Sequence, residues 1–205
     1  MPRTIKTMVL KIFTFVFSFL FSVSIGAQTI MDVARSKSIT WYGIDFSKAK
    51  FIGFEKSITP DMLKDVLINN WSDAIAKTDF SLKYHIKKVI IDLTTVKKHN
   101  GGINKQNLLT NSYYELSTES IQKIISEYET SGSGYGFVYI VESFEKSTEK
   151  VYIYVCYFKE SDKSIISMRR YIGKAIGIGV ENHYEGAIND VIRYSSKDFK
   201  RFSKR

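Results

Sequence analysis

The chain has 205 residues, of which 44% are apolar, 14% aromatic and 25% charged, with 2 prolines and a formal charge of +9. These proportions exclude a disordered tail, a collagen-like fibre and a protein of many membrane spans, and they suit one domain with a real core. A single cysteine excludes an intrachain disulfide framework and any zinc site built from several thiolates.

Residues 1–27 read as a signal peptide. Arg3, Lys6 and Lys11 form a basic head, residues 12–27 form an uncharged stretch of 16 residues, and Gly26-Ala27 supplies small residues for cleavage after Ala27. The uncharged stretch is shorter than the ~20 residues that cross a bilayer. No cysteine lies nearby to carry a lipid anchor. The expected product, residues 28–205, is exported to the periplasm or the exterior, with no membrane span after cleavage. It keeps 27 basic and 21 acidic residues, a charge of +6. Residues 195–205 hold +4 of that, through Lys197, Lys200, Arg201, Lys204 and Arg205 against Asp198, and read as a frayed basic tail. The body is then near +2, without the basic field that nucleic-acid binders show, so no nucleic-acid partner is expected.

Along the rest of the chain, residues 28–194 read as one α+β domain. Residues 39–46 (ITWYGIDF) and 50–54 (KFIGF) are rich in β-branched and aromatic residues and predict two strands. Thr59-Pro60 predicts a helix start, and Leu63, Val66, Leu67, Trp71, Ala74 and Ile75 carry an apolar stripe to about residue 77. Val89 to Val96 predicts a third strand, and 97–114 a long loop. Ile121, Ile124, Ile125 and Tyr128 mark one face of a second helix that starts near Ser117. Residues 136–144, 150–158 and 163–172 alternate with short polar turns, which predicts an antiparallel meander. A last helix is expected over 182–194. The predicted order is ββαβα(βββ)α: a mostly antiparallel sheet with about three helices packed on one face.

Few residues suggest chemistry. Residues 132–136 (GSGYG) lie between a helix and a strand, the reverse of a dinucleotide fingerprint. Residues 173–179 (GKAIGIG) precede a helix but lack the hydroxyl residue after Lys174 that a phosphate loop needs, leaving Lys174, Gly177 and Gly179 as a candidate anion site. His85, His99 and His183 fall on three different elements without the local pairing usual for zinc, so no metal site is assigned. Cys156 sits inside a strand and reads as a small buried hydrophobe. Asp45 and Asp92 read as strand ends or turn caps. No catalytic residue and no cofactor is assigned, and the balance leans away from an enzyme.

The tyrosines carry more. Along 151–158 both strand faces are apolar, and a sheet covered on one side only would leave Tyr152 and Tyr154 open. With Tyr139 and Tyr171 from neighbouring strands they form a candidate patch for a partner or ligand; the equal alternative is that a second helix or the 97–114 loop covers that face. The stretch from Trp41 to Phe51 (WYGIDFSKAKF) and the segment Arg170 to Asn189 (RYIGKAIGIGVENHYEGAIN) resemble the opening and close of uncharacterised exported proteins of Bacteroidota. That resemblance implies export and brings no activity or site residue with it. More loosely, a meander followed by Gly-x-Gly and a last helix is similar to periplasmic α/β modules that bind envelope proteins. The expected function is a non-enzymatic binding or protein-interaction module of the cell envelope. The alternative is a small-molecule or glycan binder that uses the 97–114 loop and the meander tyrosines.

Overall fold

The computed structural model describes residues 29–130 and 132–203. The leader-like segment 1–27 lies outside them, as do the side chains of the last three residues of the basic C-terminus. Seven strands are found among the described residues: β1 (Ile39–Asp45), β2 (Lys50–Ile52), β3 (Val89–Ile91), β4 (Leu109–Thr110), β5 (Tyr135–Glu145), β6 (Lys150–Lys159) and β7 (Ile165–Lys174). Six helices accompany them: α1 (Ile30–Arg35), α2 (Met62–Leu67, wound as a π-helix, then Ile68–Ala76), α3 (Phe80–Tyr84), α4 (Thr94–Gly101), α5 (Thr118–Ser126) and α6 (Val180–Ser203). None of them is long and apolar enough to cross a membrane.

β5 is the central strand. One of its edges takes β1 along the first half (Thr40↔Gly136 to Asp45↔Ile140) and β2 along the second (Lys50↔Ser143 to Ile52↔Glu145), both parallel. β3 adds outside β1 and β4 outside β2, again parallel. The other edge of β5 takes β6 and then β7, and these three strands form an antiparallel meander. The sheet is therefore parallel through its core, and the expectation of a mostly antiparallel sheet is corrected. Two chain crossings create the parallel half. α2 and α3 carry the chain from β2 to β3, and α4 and α5, with β4 between them, carry it from β3 to β5. Parallel strands need such long connections.

Helices cover both faces, which corrects the one-sided expectation as well as the count of about three. One face of the sheet (Trp41, Phe137, Tyr139, Val141, Ile153, Val155) packs against α1, α2, α3 and α6. The other (Tyr42, Val138, Ile140, Cys156, Phe158) packs against Ile121, Ile124 and Ile125 of α5. This two-sided burial explains why β5 reads as an almost unbroken apolar run. The expected strand through Val96 ends at Ile91; Thr94 starts α4, and the first part of the expected 97–114 loop is helical. α6 runs well past residue 194, because Phe199 is buried and stacks on Tyr157 at 5.3 Å. Residues 195–203 are thus the end of a packed helix rather than a frayed tail.

Two glycines permit close approaches. Gly43 adopts φ +96° at an irregularity in β1, where a Cβ would come within 2.7 Å of Val96 in α4. At Gly173 in β7 a Cβ would lie 1.9 Å from the Ala187 carbonyl oxygen, so this glycine lets α6 lie against the sheet.

Candidate functional site

The four tyrosines of the candidate patch divide between two faces. Tyr139 pairs with Val155 and Tyr171 with Ile153, so both point toward α6. Tyr139 is buried, its hydroxyl bonded to that of Tyr84, which also contacts Ser195 Oγ at 2.6 Å. The Tyr171 hydroxyl donates to Asp198 of α6 at 3.1 Å. Tyr152 and Tyr154 project from the opposite face of β6 and are half-buried, Tyr154 packing at the edge of the cluster that α5 covers.

Cross-strand pairing builds a surface around these two. Tyr152 lies beside Ile172 and Tyr154 beside Arg170. Arg170 is the residue that the sequence reading passed over. Its guanidinium stacks on the Tyr152 ring at 4.1 Å and donates from Nε to Glu142 at 3.0 Å. Glu142 is fully buried at a bulge in β5 and also accepts from the Leu116 amide at 3.1 Å. A buried carboxylate requires such a partner, since desolvation without one costs several kcal/mol. Arg170 stays about one-third exposed while it neutralises Glu142. Burial and then the Glu145 charge raise the Tyr152 pKa, so its hydroxyl remains a neutral donor and acceptor. Ile172 (45% exposed) and Tyr113 (78% exposed) extend the surface. The result is an open, shallow array of aromatic, aliphatic and guanidinium groups. The signal for Arg170 in the sequence was its alternation in phase with Met168 and Ile172.

The candidate anion site at Lys174, Gly177 and Gly179 is a glycine-bent turn between β7 and α6. Gly177 (φ +140°) and Gly179 (φ +78°) make the bend. Their carbonyls are engaged with His183, at 3.1 Å to Nδ1 and 2.9 Å from its amide. The backbone amide of Lys174 donates to the Asp190 carboxylate. Glu181 occupies the first turn of α6, and Glu149 lies 3.6 Å from His183. Carboxylates thus surround the helix start.

A polar cluster missed by the sequence reading lies at the carboxyl end of β1. Asp45, fully buried, accepts from the Ser47 amide (2.8 Å), the Tyr128 hydroxyl (3.0 Å) and His99 Nδ1 (2.7 Å). The other ring nitrogen of His99 faces Glu127 at 3.5 Å. The hydrogen bond to Asp45, opposed by burial, raises the His99 pKa. With both nitrogens held by carboxylates, His99 is built to carry a proton in place. Asp45 thus ends its strand and caps the following turn. Asp92 caps another turn, accepting from the Thr94 amide at 3.0 Å. Cys156 is buried beneath α5, and burial pushes its thiol pKa up. Among the described residues no three His, Cys, Asp or Glu side chains are grouped to hold a metal ion.

No protein-family model and no curated protein matches the chain. Among solved structures it is similar to the C-terminal domain of LpoB from Salmonella enterica, at 12% identity and a TM-score of 0.28, over 78% of this chain and 92% of that one. It is also similar to the hypothetical protein CT253 of Chlamydia trachomatis, at 5% identity and a TM-score of 0.33, over 82% and 99%. At these scores neither likeness bears on what this chain does.

Proposed function

We propose that the protein is an exported, non-enzymatic module that binds another protein of the cell envelope through the β6–β7 face. One observation carries this reading: Tyr152, Tyr154, Arg170 and Ile172 form a contiguous row across β6 and β7, half-buried or exposed, at the edge of the cluster that α5 covers. Tyrosine and arginine are the residue types that concentrate binding energy at interfaces. They offer large contact area with few rotatable bonds, and Arg170 is already fixed by Glu142 and by the Tyr152 ring. Export rests on the basic head and apolar run of residues 1–27.

The test is capture of partners from intact cells by chemical cross-linking, with the doubly substituted Tyr152→Ser/Tyr154→Ser protein alongside. We expect a discrete adduct that falls at least tenfold in the double variant. Because both tyrosines are half-buried, their loss also costs the fold about 1–2 kcal/mol each. Ile172→Asp, on the exposed rim, alters the same face with little effect on stability and is expected to reduce the adduct similarly. An adduct that survives all three substitutions would remove this face from consideration.

A further inference from the structure

Beyond the carboxyl end of β1 the chain encloses a groove of about 730 Å³, within the range of small-molecule sites. None of its lining residues belongs to β6 or β7, and a ligand bound in it would go beyond the protein-binding reading without resting on it. In sheets with parallel strands, ligands commonly bind outside the carboxyl ends of those strands. The groove walls come from the junction of β1 and β2, the segment after α4, and one side of α5.

Its charge is lopsided. Lys48, Lys50, Lys98 and Lys123 line it against a single carboxylate, Glu127, which already faces His99. Lys98 pairs with Glu129 at 3.2 Å, but both groups are largely exposed, and such pairs are worth little. Among the described residues neither Lys48 nor Lys123 forms an ion pair. Lys50 donates to the Asn107 carbonyl, and burial, followed by the nearby Lys48 charge, pulls its pKa down. With so little charge on the body of the chain, three or four cations in one concavity are a local feature, and the low-dielectric walls focus their field.

The lining chemistry narrows the ligand. No arginine lines the groove, so the bidentate fork that suits carboxylate and phosphate alike is missing, and an anion there is met by lysines, which hold a phosphoryl group as point charges. Leu108 and the Tyr114 ring, with Lys50 at 5.7 Å from its centroid, provide an apolar wall for the body of the ligand. We propose that this groove binds a soluble phosphorylated small molecule, with its phosphoryl group held by Lys48, Lys50 and Lys123.

The test is thermal unfolding of the purified protein against increasing pyrophosphate, with potassium chloride at matched ionic strength. Binding to the folded state raises the midpoint with ligand concentration. We expect a saturating rise that chloride does not reproduce. In Lys48→Gln/Lys123→Gln the apparent affinity should fall about tenfold or more, since two positive charges beside the phosphoryl group are lost. Lys83→Gln, on the exposed surface of α3, removes a charge outside the groove and should bind as the unmodified protein does. An equal response in the double variant, or in chloride, would overturn the proposal. So would citrate matching pyrophosphate, which would signal a general anion site. Capture by phosphatidylglycerol vesicles without any pyrophosphate response would replace the soluble ligand with a lipid surface and equally overturn it.

Discussion

Individual side chains show how buried charge is managed and how it ties stability to pH. Glu142 and Asp45 are both fully buried, and each is met by a cation-capable group and by a backbone amide. For His99 the consequence depends on pH. Its folded-state pKa is raised above the ordinary value of 6.5, so the stability it contributes is fully present below that value. That contribution is lost as pH rises through the raised folded-state pKa. Chemical denaturation between pH 5.5 and 8.5 should therefore show the unmodified protein losing stability relative to His99→Gln as pH rises. Parallel profiles would contradict the protonated arrangement between Asp45 and Glu127. Only the turn-capping role of Asp45 was legible in the sequence; its pairing with His99 was not, because His99 lay in an expected loop and the histidines had no regular spacing. Tyr152 and Tyr154 were legible, because alternation along β6 reports the face even when register is unknown. Tyr139 and Tyr171 were grouped with them only because register could not be read.

Among the elements, apolar periodicity was a reliable guide where a helix packs through an apolar stripe. α2, α5 and α6 all carry such stripes, and the meander was legible instead from β-branched and aromatic runs bounded by polar turns. α4 does not, for a physical reason. Its buried positions are Thr95, Val96 and Asn100, and Asn100 is there to bond the end of β1, donating to the Ile44 carbonyl and accepting from the Phe46 amide. A helix anchored by a buried amide leaves no apolar stripe to find. Strand direction was equally hidden, since side-chain alternation is the same for parallel and antiparallel pairing. The extended end of α6 gives a direct check. Phe199 is 2% exposed, among Tyr84 and Tyr157. Phe199→Ala should cost about 3–5 kcal/mol in equilibrium denaturation, as deleting a core phenylalanine does. A loss below about 1 kcal/mol would mean that the last turns of α6 do not hold the core.

For the molecule as a whole, packing on two faces concentrates what is left open. One face of the sheet is closed by α1, α2, α3 and α6, and α5 packs on part of the other. The Tyr152–Arg170 surface lies at the edge of that part. The basic groove lies where α5 meets the end of α4 and the start of β2. The aromatic face and the charged concavity are the two surfaces that the proposed binding role would use. The measurement that tests this most directly is site-specific photo-cross-linking in living cells, with a benzophenone amino acid placed in turn at Tyr154, Ile172 and Leu82. Leu82 is 72% exposed on α3, over the opposite face, and so offers the probe at least equal access. The β6–β7 interface predicts one adduct of the same discrete mass from positions 154 and 172, and none from 82. Adducts from 82 alone, or indistinguishable smears from all three positions, would contradict it.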